Sequence, residues 1–239
     1  MMRAQMKLYR IVSILLVFVF IFVLAGCQST NTPTENGGQI SQNAEKTNGA
    51  PSDNTTESLD EQPSGNSKAL VVYFSRTGEQ YRVGVIDKGN TAIVAEMIAE
   101  KTGAEMYEIL PETDYYPYTY SELTDVAKKE QNENARPKIK NALPDISEYD
   151  IIFIGAPVWW GDWPMICYTF FEGVDLSGKK LVPFSTHEGS GLSGFDKKLA
   201  SAAPGAEVLT GLAVRGEDCQ KKQDNVKSSV NDWLAKLGY

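Results

Sequence analysis

"KALVVYFSRTG" (residues 68–78) decides how the chain folds. Ala69 to Phe74 form an almost unbroken apolar run of β-branched and aromatic side chains, and runs of this length read as strands buried on both faces. The pattern recurs at "YDIIFIGAP" (149–157) and "KKLVPFST" (179–186), with weaker versions at "AEMYEIL" (104–110) and "AEVLTGLAV" (206–214). Helical patterns lie between them: Ile93, Val94, Met97 and Ile98 share one face after Thr91, and Val226, Val230, Trp233, Leu234 and Leu237 share another near the end. Buried strands alternating with helices imply an α/β fold, a doubly wound, mostly parallel five-stranded sheet with helices on both faces, because parallel neighbours need crossover connections. Ligands of such sheets bind at the carboxyl ends of the strands, so the loops after the first, third and fourth strands are where chemistry is expected.

Outward from this core, the N-terminus is of another kind. A basic segment with Arg3, Lys7 and Arg10 precedes the apolar run Ile11 to Val23, which leads to Leu24-Ala25-Gly26-Cys27. This resembles a bacterial lipoprotein signal peptide (1–26) with Cys27 as the lipidated residue, and an uncleaved membrane anchor is the alternative. Residues 27–67 are rich in Ser, Thr, Asn, Gly and Pro and read as a disordered linker, leaving 68–239 as the folded domain. The expected place is the outer face of a bacterial cell membrane, held by lipid. The chain has 31 acidic and 23 basic side chains, and removing the leader takes the balance to 31 against 20. A domain so acidic repels nucleic acid and attracts basic partners. With Cys27 consumed, Cys167 and Cys219 remain; export permits a disulfide, but two unpaired, partly buried thiols are expected.

The first loop reads Ser75-Arg76-Thr77-Gly78, then the apparent insertion "EQYRVGVIDK", then Gly89-Asn90-Thr91 opening a helix. Hydroxyls and free amides at a helix N-terminus suit a phosphate, although plain capping uses the same residues. It is no Walker loop, lacking the Gly-Lys-Ser/Thr ending. The third strand runs into Ala156-Pro157-Val158-Trp159-Trp160-Gly161-Asp162-Trp163, placing three of the four tryptophans within five residues. Large flat side chains at a sheet's binding edge suit a planar ring. Trp163 is expected in the core, and at least one of Trp159 and Trp160 exposed. The fourth strand leads into Thr186-His187-Glu188-Gly189-Ser190-Gly191, whose glycines with Gly194 have the spacing of a dinucleotide loop. That fingerprint belongs on the first βαβ unit with an acid ending the next strand, and neither condition holds.

Strand, Ser-x-Thr-Gly, helix and the later tryptophan turn together resemble the flavodoxin family, over residues 68–239. The resemblance implies sheet order 2-1-3-4-5 and FMN as cofactor. It implies that Ser75, Thr77, Gly78, Asn90 and Thr91 hold the FMN phosphate, with Arg76 and Gly89 in the same loop, and that Ala156, Pro157, Val158, Trp159, Trp160 and Gly161 flank the ring on one side. Thr186, His187, Glu188, Gly189, Ser190 and Gly191 complete the site, the glycines letting backbone pass close to the ring edge. Arg76 either pairs with the phosphate or points outward; His187 either serves the reduced flavin as a proton donor or faces solvent. Glu188 and Asp162 would lower the reduction potential. No catalytic nucleophile, base or metal cluster is evident. The expected function is electron transfer, with a redox protein or a small acceptor as partner. The alternatives are an FMN-dependent NAD(P)H:quinone or flavin reductase, and a lipoprotein that keeps the fold without flavin.

Overall fold

A computed structural model describes residues 67–113 and 115–239. The leader, Cys27 and nearly all of the linker lie outside the described residues.

Strand β1 (Ala69–Tyr73) is buried along its whole length. Its side chains alternate between two cores: Leu70, Val72 and Phe74 enter one, Ala69, Val71 and Tyr73 the other. Strand β5 (Ile151–Pro157) and strand β6 (Lys180–His187) are buried likewise, which is why all three read as continuous apolar runs rather than alternating ones. With β4 (Glu105–Glu108) on one side and β7 (Glu207–Val208) and β8 (Leu212–Arg215) on the other, the parallel sheet runs β4-β1-β5-β6-β7, with β8 also pairing β6. Counted along the chain, this is the expected order 2-1-3-4-5.

One expected strand differs. Residues 206–214 form two short strands instead of one, broken at 209–211. Gly211 explains the break: a Cβ there would stand 2.7 Å from Pro183 O, so the backbone passes β6 too closely for a regular ladder.

Helices α1 (Asn90–Thr102), α5 (Gly216–Lys221) and α6 (Gln223–Lys236) cover one face, burying Ile93, Val94, Ile98, Cys219, Val226, Val230 and Trp233. Helices α3 (Met165–Gly173) and α4 (Phe195–Ala202) cover the other with Ile166, Cys167, Phe170, Phe195 and Leu199. Cys167 and Cys219 are both free and fully buried, on opposite faces of the sheet, so no disulfide joins them.

The insertion after β1 is a hairpin. Strands β2 (Gly78–Gln80) and β3 (Gly84–Ile86) pair antiparallel in a sheet of their own. Helix α2 (Tyr120–Glu133) stands beside it, and Glu79 joins the two: its amide donates to Tyr118 O at 3.1 Å and its carboxylate accepts the Tyr120 amide at 2.8 Å.

Candidate functional site

At the carboxyl ends of β1, β5 and β6 lies a cavity of about 280 Å³. One end is built by α1. Helices leave their first amides without an intrahelical acceptor. The Ala92 amide donates to Ser75 Oγ at 3.0 Å, and Asn90 and Thr91, the first two residues of the helix, line the cavity. Gly89 precedes them with no room for a side chain, since a Cβ would lie 2.1 Å from Ser75 Oγ. The buried Thr91 hydroxyl meets that of Thr186 at 2.8 Å. Of two hydroxyls so paired, one donates and the other keeps its hydrogen for a further acceptor. Asn90 is anchored from behind, its Oδ1 accepting from Gln220 Nε2 at 2.8 Å.

Arg76 lines the cavity and does not point outward. Its guanidinium donates to Pro117 O, Tyr118 O and Glu79 O, strapping the loop after β1 to the hairpin and to the approach to α2. Its charge remains at the cavity, and four of its five N–H groups are taken by backbone carbonyls.

The tryptophan loop forms the second wall. Trp159 and Asp162 exchange backbone hydrogen bonds of 2.9 Å around Trp160 and Gly161, whose φ values are 51° and 74°. Two central residues with positive φ define a type I′ turn. This conformation is costly for tryptophan, and side-chain bonds hold it: Trp160 Nε1 donates to Thr124 O at 3.0 Å, Gln131 donates to Trp160 O, and Lys128 Nζ sits 5.0 Å over the ring. Trp160 is 53% exposed and Trp163 is buried, stacked on Phe195. Trp159 packs edge-on against Phe74 and Tyr116 with ring centroids 5.4 and 5.1 Å away.

His187 is the last residue of β6, not a loop residue, and is paired in register with Arg215. Its Nδ1 accepts the Gly189 amide at 2.9 Å, which places the proton of the neutral ring on Nε2. Burial, helped by Arg215, holds its pKa below the ordinary histidine value, so the ring is neutral at pH 7. Glu188 Oε1 accepts the Glu217 amide at 2.8 Å. Its Oε2 is buried without a hydrogen-bond partner, with Arg215 Nη2 at 3.8 Å, too far to bond. Burial raises the Glu188 pKa above the usual carboxylate range.

The cavity thus gathers Ser75, Arg76, Asn90, Thr91, Pro157, Val158, Trp159, Trp160, Gly161, Thr186, His187, Glu188 and Ser190. Six expected residues do not line it. Ala156 is fully buried in the core. Thr77 is exposed, with its carbonyl turned to Gln80. Gly78 packs against Tyr118, and Gly89 acts from behind Ser75. Gly189 and Gly191 have open space where a Cβ would go, and with φ of 133° and 62° they shape the turn that carries Ser190 to the cavity. Asp162 is also turned away, bonding the Trp163 amide and Tyr168 and lying 3.4 Å from Lys198. Residues not foreseen complete the lining: Gln80 and Tyr81 from the hairpin, Tyr120 and Leu123 from α2, and Gly216. Tyr81 stacks on Tyr120 with centroids 5.5 Å apart. The signals present in the sequence were an aromatic inside the insertion and the helical spacing of Tyr120, Leu123 and Ala127.

A family model described as flavodoxin matches residues 68–233. The chain belongs to the flavodoxin family. Among solved structures, this flavodoxin is similar to a candidate flavoprotein of Bacteroides eggerthii, with 30% identity over 73% of this chain and 99% of that one and a TM-score of 0.58. A counterpart from Bacteroides uniformis has 31% identity, covering 69% and 98% of the two chains with a TM-score of 0.56. A Lactobacillus acidophilus flavoprotein in complex with FMN shares the fold at 23% identity, covering 66% and 99% with a TM-score of 0.52. No curated protein matches this flavodoxin significantly.

The cavity fits FMN chemically. Amides and a spare hydroxyl hydrogen at one end suit a phosphate, and Val158, Trp159 and Trp160 at the other suit a flat ring.

Proposed function

We propose that this protein binds FMN and transfers electrons at the outer face of a bacterial membrane, held there through lipid on Cys27. One observation carries the reading of the site: the α1 N-terminus and the tryptophan turn, both called for by the cofactor's chemistry, open into the same cavity. Ser75, Asn90 and Thr91 would hold the phosphate; Val158, Trp159, Trp160, His187 and Glu188 would border the ring. Bound there, FMN supplies one- and two-electron transfer, while the protein sets orientation, access and charge.

The residues have distinct parts in this. His187 presents a neutral Nε2–H, a donor rather than a fixed positive charge. Glu188 holds a proton more readily than an exposed carboxyl does, so its effect on the potential is weaker than that of a permanent anion. Asp162 faces Lys198 and contributes little. The acidic domain favours a basic redox partner.

The test is the absorption spectrum of the purified chain with and without added FMN, for the wild type and for Trp159→Ala and Asn90→Ala. Flavin bands with quenched flavin fluorescence, weakened by both changes, support the reading. A chain that takes up no flavin under any loading condition overturns it.

A further inference from the structure

Helix α4 begins beside the tryptophan turn. Phe195, its first residue, stacks on Trp163 with ring centroids 3.7 Å apart, and Trp163 Nε1 donates to Phe195 O at 3.2 Å. Residues three apart share a helix face, so Lys198 is held toward the same loop. Its Nζ donates to Gly161 O in the tryptophan turn and, at 3.1 Å, to Ser193 O in the turn after β6. Asp162 Oδ1, 3.4 Å away, supplies the counter-charge. Gly161 lines the cavity from the first of these turns and Ser190 from the second, whereas Lys198 does not line it. Both turns carry strain. Four non-glycine residues have positive φ among the described residues, and two of them, Trp160 at 51° and Ser193 at 53°, lie here. Such conformations persist where the surroundings over-determine them, and they cluster at ligand sites.

We propose that Lys198 is a positioning residue of the site: one ammonium outside the cavity that fixes the tryptophan turn and the turn after β6 relative to each other, and so sets the gap that the flavin ring enters. The word flavin rests on the FMN reading, but the clamp is formed by protein atoms alone. An ammonium has three N–H donors and no acceptor, so a single lysine serves two carbonyls and an ion pair at once. Without it, each of the two carbonyls is released to rotate with its peptide, and the strained residue beside it loses a restraint.

The full-length chain is compared with Lys198→Met, which keeps the aliphatic stem and loses every donor. FMN affinity that falls at least about tenfold, a changed visible circular dichroism of the bound flavin, and faster hydrogen exchange in both 159–162 and 189–195 support the proposal. Lys179→Met is the control for lost stability, since Lys179 Nζ donates to Ser147 O at the amino end of β6, and it leaves affinity and visible dichroism unchanged. Asp162→Asn removes the counter-charge but keeps an acceptor, and it changes affinity by less than about threefold. Affinity indifferent to Lys198→Met overturns the proposal, as does faster exchange confined to one turn. So does an equal loss in Lys179→Met, which would make the effect general, or in Asp162→Asn, which would make it the ion pair's alone. Should far-ultraviolet dichroism and melting show that Lys198→Met does not fold, Lys198→Gln decides by the same measures. If the wild type takes up no FMN, the flavin reading falls, and exchange in the two turns alone decides the clamp.

Discussion

Thr91 Oγ1 and Thr186 Oγ1 lie 2.8 Å apart with both residues buried, tying the start of α1 to the end of β6. Both elements line the candidate site, α1 with Asn90 and Thr91 and β6 with Thr186 and His187. Thr186→Val leaves the Thr91 hydroxyl buried without its partner, which costs about 1–3 kcal/mol. Removing both hydroxyls costs less than the sum of the single changes. Urea unfolding of the two single valine variants and the double variant gives the coupling directly.

Gly89 is required by contact, since its Cβ position is occupied by Ser75 Oγ. Gly89→Ala pushes Ser75 off the Ala92 amide and costs about 1–3 kcal/mol by overpacking. FMN affinity measured by flavin fluorescence falls with it, whereas Gly103→Asn, at the far end of α1 with a φ of 70° that asparagine tolerates and open space at its Cβ, leaves affinity within about twofold.

Arg76 bonds three carbonyl oxygens with one rigid fork, which a lysine cannot do. Arg76→Lys therefore loosens the hairpin and the segment before α2 together. Hydrogen exchange rises in residues 78–86 and 118–120 while the protection of β1 and β5 is unchanged.

Glu130 is buried, with Oε2 accepting from Tyr116 at 3.3 Å and Oε1 unpartnered. Burial raises its pKa above the ordinary carboxyl value of 4.5. Between that value and the raised one, the folded state holds a proton that the unfolded state has released, so stability falls as pH rises through this window. Glu130→Gln removes this slope. Its melting temperature at pH 7.5 exceeds the wild type's by a few degrees, about the shift that 1 kcal/mol produces in a domain this size, and the difference vanishes near pH 4.

The sheet was legible because β1, β5 and β6 are buried on both faces, which leaves short apolar runs rich in β-branched and aromatic residues. The split of the last strand was not, because it depends on how closely Gly211 passes Pro183, a contact between distant residues. The tryptophan turn was visible from composition, but the role of Arg76 was not: a charge in a phosphate loop looks the same whether it meets an anion or three carbonyls. His187 was placed one step too far, in the loop, since the register of β6 against β8 carries the strand to that residue. Tyr81 could not be placed at the cavity until the hairpin was seen to fold back against Tyr120.

The hairpin forms its own two-stranded sheet, and among the described residues no hydrogen-bonded ladder joins it to the main one. Its strands attach to α2 and to the loop from which it springs, and Lys88 at its end is tied to Glu96 of α1 and Gln220 of α5. A segment anchored in this way is an exchangeable module: its tip can lengthen, shorten or change character while the sheet beneath keeps its packing. Selection for a different reaction partner can therefore act on residues 79–88 with the core as a constant frame.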